Sequence, residues 1–203
     1  MSRKNKISSV FVLGSTSEIA REICTELAIN GCNEFHLAAR NEVENNIFAN
    51  KLRKKFNSKV STEKIDFYKD FSLNNKNIIA INDFDLYLIC AGSLGNAKDA
   101  RFDSTEGLKI SFANYIGLIP WITSITNEDR LNKPMRMWVL SSVASDLGRP
   151  SNYHYGAAKA ALNKLCEGLI FRCYKKPFSI RVIKAGFVGT SKTLKMAPSF
   201  LCI

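Results

Sequence analysis

Short apolar runs alternate along this chain with longer segments of helical period, and that alternation restricts the fold more than any other feature. Residues 8–13, 34–39, 85–91, 137–142 and 179–185 are short and rich in Val, Ile, Leu or Phe, which predicts strands; residues 59–66 form a weaker strand candidate. Helical patterns occupy residues 18–30, 43–56, 102–127 and 155–174. In the last of them Ala158, Leu162, Leu165, Cys166, Leu169 and Ile170 recur at helical spacing. Pro120 has no N–H to donate, so it should kink the 102–127 helix or break it in two. Strands alternating with helices imply crossover connections. The expected architecture is therefore an α/β, doubly wound parallel sheet covered on both faces. A length of 203 residues suits a single such domain. Ligands of these sheets bind outside the carboxyl ends of the strands, which is where chemistry is to be sought.

Composition removes several other classes. Six cysteines at 24, 32, 90, 166, 173 and 202 contain no C-x-x-C pair, so they read as neither a zinc site nor a disulfide framework. Most fall in apolar runs, where free thiols pack as small hydrophobes, and the expected setting is the reducing cytoplasm. The basic N-terminus precedes an apolar run too short for a secretory signal, and no stretch is long enough for a transmembrane segment. The net charge of +11 could attract a polyanion, but the basic residues are mostly dispersed lysines. Only Lys51, Arg53, Lys54 and Lys55 cluster, without stacking aromatics or a known nucleic-acid motif. A solvated lysine-rich surface is expected, with no nucleic-acid partner.

The first strand ends in Gly14-Ser15-Thr16-Ser17-Glu18-Ile19-Ala20 and opens directly into a helix. Strand, tight turn and helix N-terminus together can present backbone N–H groups to a dinucleotide pyrophosphate. Glu18 and Ala20 stand where two further glycines of a G-x-x-x-G-x-G turn would be; Glu18 is expected to turn back toward Ser15 in a capping box. The second strand ends Ala38-Ala39-Arg40-Asn41. An acid here would bond ribose hydroxyls, whereas Arg40 accommodates a 2′-phosphate and favours NADP(H) over NAD(H); Glu42 remains an alternative ribose partner.

Tyr155 and Lys159 are four residues apart, one turn along a common helix face, and Ser142 ends the preceding strand. A tyrosine is a weak base or acid near neutrality, and a neighbouring ammonium that stabilises phenolate would bring it into range. The Tyr-x-x-x-Lys spacing alone is common on exposed helices. Its conjunction with a strand-end serine and a nucleotide-binding turn is specific.

These residues resemble the short-chain dehydrogenase/reductase family, classical type, from Ser8 to Pro198. The resemblance implies a Rossmann-type sheet in the order 3-2-1-4-5-6 and an NAD(P)-dependent oxidoreductase acting on CH–OH or C=O. By that resemblance Gly14, Ser15, Thr16, Ser17 and Ile19 form the nucleotide turn, and Asp66-Phe67 follow the third strand, with Asp66 on the adenine amine. Ala91 and Gly92 would floor the cofactor site, while Val188 and Thr190 would hold the nicotinamide carboxamide. Asn114, Ser142, Tyr155 and Lys159 would complete a catalytic tetrad. In it Tyr155 is the acid, Ser142 orients the carbonyl, Lys159 lowers the tyrosine pKa and bonds the ribose, and Asn114 holds a relaying water. Three departures stand out: the two missing glycines, Ile89-Cys90-Ala91-Gly92 for Asn-Asn-Ala-Gly, and Ala185-Gly186 for Pro-Gly. The first turn, Gly92-Ser93-Leu94-Gly95 and the 148–156 segment look like bacterial reductases of the 2-keto-pentose of decaprenyl phosphate and relatives in surface-polysaccharide synthesis.

The expected activity is NADPH-dependent reduction of a ketone, a keto-sugar or lipid-linked keto-sugar among the candidates. The competing readings are a weakly catalytic NADPH-binding module and an extended-type epimerase, for which the chain has no room. Residues 186–193 resemble a phosphate-cradling P-loop but have Ser191 for its second glycine. His36 and His154 lack metal-ligand spacing, so no metal is expected; His154 should line the substrate cleft or meet solvent. Classical members of the resembled family continue to a seventh strand. The expectation for a chain ending at Ile203 is therefore an incomplete reductase with an open sheet edge, weak turnover and a weakened homo-oligomer.

Overall fold

The computed structural model of the chain describes residues 6–67, 83–186 and 188–190. Six strands form one parallel sheet: β1 (Ser9–Leu13), β2 (Glu34–Ala39), β3 (Lys59–Lys64), β4 (Leu86–Ile89), β5 (Arg136–Ser142) and β6 (Ser179–Ala185). Their order is β3-β2-β1-β4-β5-β6, as the family resemblance implies. The helices are α1 (Glu18–Ile29), α2 (Glu42–Phe56), α3 (Ser104–Asn114), α4 (Ile119–Ile125), α5 (Glu128–Leu131) and α6 (Tyr153–Arg172).

Side chains of the central strands alternate between two cores. Val10, Val12, Leu86 and Leu88 face one, against Ala20, Cys24 and Ala28 of α1 and Phe48, Ala49 and Leu52 of α2. The small residues of α1 recur every fourth position and let that helix lie close to the sheet. Phe11, Leu13, Ile89, Met137 and Val139 face the other core, against Trp121, Ile122 and Ile125 of α4 and Leu162 and Cys166 of α6. Both faces of the sheet are thus covered over its central strands, while β6 stays half-buried or exposed, and the carboxyl edge is left open to ligand.

The 102–127 helix does break in two, but not at the proline. Helix α3 stops at Asn114 because Tyr115 leaves the helical region (φ −147°, ψ −65°), and a 3-10 turn at Ile116–Leu118 follows. Pro120 sits in the first turn of α4, where its missing N–H would have had no intrahelical partner anyway. Helix α6 opens two residues earlier than its periodicity implies, at Tyr153.

One polar residue occupies a core position. Asn45 stands at the head of the α2 stripe that continues with Phe48, Ala49 and Leu52, and it is fully buried. Its Nδ2 donates to the Leu37 carbonyl at 2.8 Å and its Oδ1 accepts from the Ser15 hydroxyl at 2.6 Å. The amide thereby ties the β1–α1 turn to strand β2. Replacing Asn45 with Leu leaves the Ser15 hydroxyl buried without its acceptor and removes the side-chain bond to the Leu37 carbonyl, which stays in the β2–β3 ladder; the expected loss is about 1–3 kcal/mol in denaturant unfolding.

Candidate active site

A cleft of about 330 Å³ opens at the carboxyl ends of β1 and β4, the point where the strand order reverses. Two glycines let its walls meet. Gly14 has φ +89°, and a Cβ there would lie 2.4 Å from the Ala91 nitrogen. At Gly92 a Cβ would come within 2.6 Å of Asn114 Oδ1 and 3.3 Å of Lys159 Nζ. Neither position admits a side chain without moving the backbone or the polar groups behind it.

One end of the cleft is built by the β1–α1 turn and the β2 exit. Gly14, Thr16, Ser17, Glu18 and Ile19 line it, together with Arg40, Asn41, Asp66 and Phe67. Ser17 is the N-cap of α1 and makes no side-chain capping bond, so the positive end of that helix faces the cleft uncapped by its own serine. Ser15 is a correction to the sequence reading. It is buried outside the cleft wall, its hydroxyl donates to Asn45 and its N–H donates to the Ala38 carbonyl. A capping box with Glu18 does not form, because α1 begins at Glu18 with Ser17 as its N-cap and the Ser15 N–H is taken by the Ala38 carbonyl. Glu42 is set aside as the ribose partner, since it pairs with Lys64 at 3.6 Å and does not line the cleft. Arg40 is exposed on the cleft wall.

The other end is built by α3, β5 and α6. Ala91, Gly92, Asn114, Tyr155 and Lys159 line it, and Ser142 meets the Tyr155 hydroxyl by hydrogen bond from the end of β5. Thr190 also lines the cleft, whereas Val188 lies in a neighbouring groove between α1 and α2. Asn41, Ser93, Leu94 and Ser141 are among the cleft residues that the sequence did not assign to the site. Ser93 and Leu94 follow Gly92 on a strand exit, which was the available signal.

Asn114 is fully buried and its amide is committed. Nδ2 donates to the carbonyls of Ser93 (2.6 Å) and Ile110 (2.8 Å), and Oδ1 accepts from the Ser93 N–H (3.2 Å). It fastens the loop after β4 to α3. His154 does not enter the cleft; it packs over Gly107 and its Nε2 bonds the Ala100 carbonyl at 3.0 Å. Among the described residues no group of three or more His, Cys, Asp or Glu is disposed to hold a metal.

The electrostatics also differ from the sequence expectation. Lys159 is buried, and desolvation brings its pKa down to about 8. Its Nζ donates to the Leu140 carbonyl at 3.1 Å and stands 5.9 Å from the Tyr155 ring centroid. Burial raises Tyr155 above its ordinary value, and the group that opposes this is Ser142, not Lys159. The lysine one turn along is held beneath the cleft by its own carbonyl bond.

Residues 8–198 match the short chain dehydrogenase family, and the chain belongs to it; its members are NAD(P)-dependent oxidoreductases. The chain is 26% identical over 198 residues to an uncharacterized oxidoreductase of Mycobacterium tuberculosis, covering 96% of this chain and 78% of that protein. It is 22% identical over 194 residues to a 7beta-hydroxysteroid dehydrogenase of Collinsella aerofaciens, covering 92% of this chain and 71% of that one. The fold superposes with a TM-score of 0.81 on the bulky-bulky ketone specific alcohol dehydrogenase from Comamonas testosteroni, at 16% identity, over 96% of this chain and 77% of that one. The residues present fit a dinucleotide: two Cβ-free positions at the floor, an uncapped helix terminus, and cationic side chains at both ends.

The lowered Lys159 pKa has a signed consequence. Below about pH 8 the fold holds a desolvated ammonium, which costs stability. The cost falls as pH rises through that value and is gone above the ordinary lysine range. Lys159→Met should stabilise the nucleotide-free protein by about 1–3 kcal/mol at pH 7, and by less at pH 10. Denaturant midpoints at the two pH values check both sign and trend.

Proposed function

We propose that this chain reduces a ketone to a secondary alcohol, with NADPH as the preferred cofactor. The observation that carries the reading is the meeting of the Tyr155 hydroxyl with Ser142 beside a buried Lys159, at one end of a cleft whose other end holds Arg40. When bound, the nicotinamide supplies the hydride; the protein positions the reactants and manages the proton.

Tyr155 is the proton donor. Burial keeps its hydroxyl protonated at neutral pH, the form that reduction requires. Ser142 orients the carbonyl oxygen and stabilises charge developing on it. Lys159 lies under the ribose end of the cleft, its remaining hydrogens available to hydroxyls there. Its ammonium is costly in the empty site, and negative charge arriving with the nucleotide offsets that cost. Both amide hydrogens of Asn114 are engaged, so a water held at this residue rests on its main-chain carbonyl, at the unpaired end of α3. Gly14, Thr16, Ser17 and Ile19 receive the phosphates, Arg40 the 2′-phosphate, and Asp66 with Phe67 the adenine. Ala91 and Gly92 give the cofactor its floor, and Thr190 contacts the carboxamide end, with Val188 beside it.

The substrate reading is a ketone flanked by bulky groups. The relatives support this, being named for 7beta-hydroxysteroids and, in the fold neighbour, for bulky-bulky ketones. A keto-sugar or lipid-linked keto-sugar is the narrower reading, and it rests on residues 92–95 and 148–156. Five described cysteines are free and buried, which favours a reducing, cytoplasmic setting. Among the described residues no helix is long and apolar enough to cross a membrane.

Tyr155→Phe removes the transferable proton and leaves the ring packing intact. NADPH oxidation against a panel of steroid, aryl and sugar ketones should fall at least a hundredfold while NADPH binding, read by fluorescence titration, persists. Binding without turnover by the unaltered chain on the whole panel would instead favour a nucleotide-binding module.

Arg40→Asp exchanges a cationic donor to the 2′-phosphate for a repelling charge. NADPH should bind about 1.5–3 kcal/mol more weakly, with NADH spared or improved. Equal losses for both nucleotides would remove Arg40 from the 2′-phosphate site.

A further inference from the structure

The hydroxyl of Ser142 sits on a short turn, not inside the sheet. Ser142 is the last residue of β5; the 3-10 turn Val143–Ser145 follows at once, and the Ser142 hydroxyl accepts from the Ala144 N–H at 3.2 Å. Where this oxygen stands relative to Tyr155 therefore depends on how the turn is held against α6, the helix that carries Tyr155.

Two contacts hold it. At Gly156 of α6 a Cβ would lie 2.7 Å from the Ala144 carbonyl oxygen, so helix and turn touch backbone to backbone. Two turns beyond Tyr155, and one beyond Lys159, Asn163 projects from the same stripe of the helix. Asn163 Nδ2 donates to the Ser145 hydroxyl at 2.6 Å, and that hydroxyl donates to the Ser142 carbonyl at 2.6 Å. We propose that Asn163 and Ser145 are positioning residues for the reaction: a two-bond strut from α6 that sets the Ser142 hydroxyl against Tyr155.

The proton count gives the strut a direction. Ser145 has one hydroxyl hydrogen, and it goes to the Ser142 carbonyl. Its oxygen must then accept, so Asn163 has to present N–H and not C=O. Asn163 Oδ1 is accordingly left buried with no hydrogen-bond partner. A residue kept only for packing would not need that arrangement; a residue kept as a donor to Ser145 does. The far side of the turn is held by Asp146 to Lys184 of β6 at 2.6 Å, and the Asp146 carboxylate lies 3.4 Å from the Ser145 hydroxyl, a longer and weaker alternative to the Ser142 carbonyl.

The inference rests on Ser142 and Tyr155 acting as a pair. Asn163→Asp is nearly isosteric and reverses the polarity: a carboxylate can only accept, so the Ser145 hydrogen turns to it and abandons the Ser142 carbonyl. The expected result is a loss of kcat of tenfold or more, with NADPH affinity unchanged. The Tyr155–Ser142 bond also weakens, so the Tyr155 phenolate should titrate at higher pH, read by ultraviolet absorbance as the difference from Tyr155→Phe. Ser145→Ala should match Asn163→Asp, the double variant should be no worse than either, and Ser145→Thr, which keeps the hydroxyl, should restore turnover.

Wild-type kcat and an unmoved phenolate titration in a folded Asn163→Asp protein would overturn the proposal. So would a loss shared equally by kcat, nucleotide affinity and melting temperature, which would mark a structural role. The phenolate titration needs no substrate. An unaltered chain that turns over no ketone would therefore count against the assigned reaction, while a shifted titration would still report the strut.

Discussion

At Gly14 the turn after β1 meets the exit of β4 backbone to backbone, and the cleft depends on it. The turn after β1 packs against the exit of β4 with a left-handed φ of +89°, and even a methyl group would meet the Ala91 nitrogen at 2.4 Å. On its other side the N–H groups of Gly14 and Ser15 both donate to the Ala38 carbonyl at the end of β2. Three strand ends are thereby drawn together. Because β1 and β4 are neighbours in space but not in sequence, their connections leave to opposite faces of the sheet and a crevice remains between them. The first turn of α1 forms one wall and Ala91-Gly92 the floor. Loss of two glycines from this turn is tolerated because the strict requirement falls on Gly14; Glu18 and Ala20 belong to α1, where Glu18 lines the cleft and Ala20 is small enough to pack against the sheet.

The second organising feature is a set of buried polar groups that each solve a local problem. Asn45 joins the nucleotide turn to β2, and Asn114 holds the loop after β4 with two of its bonds while the third returns to Ile110 of its own helix. Lys159 differs from these amides. Its ammonium is desolvated beneath the cleft with a single carbonyl partner in view, which is why its pKa falls to about 8. A charge stored in that state is poised for an anionic ligand. Stability of the empty fold is diminished so that the filled site is favoured, a common trade at functional sites.

Much of this was readable from residue order. Five of the six strands announced themselves as short apolar runs: β1, β2, β4 and β5 because they are buried on one or both faces, and the edge strand β6 because Ile180 and Val182 pack in part against the core; β3, at the other edge, was weaker because most of its side chains are exposed. The break in the 102–127 helix was foreseen, but its place was not: proline marks where a helix can begin as readily as where it fails, and the chain leaves the helix at Tyr115. Asn45 carried a signal that went unread, a polar residue at the core position of an apolar stripe. Ser15 and His154 were assigned from proximity in sequence to the turn and to Tyr155. Both are drawn away by partners distant in sequence, Asn45 and Ala100, that no local pattern reveals.

The order of apolar and polar residues by itself determined the class of fold and the stretch of chain in which chemistry would lie. Periodicity is a local property, and i to i+4 geometry places Tyr155 and Lys159 on one helix face without further information. Tertiary structure alone decided which groups face each other across the cleft and which are turned inward. It also reversed the source of control over Tyr155. Spacing pointed to the lysine one turn away, whereas the fold buries that lysine against the Leu140 carbonyl and brings Ser142 to the phenol. The reason is that a pKa responds to desolvation and to the nearest donor, and both are set by chain segments that meet only when the sheet closes.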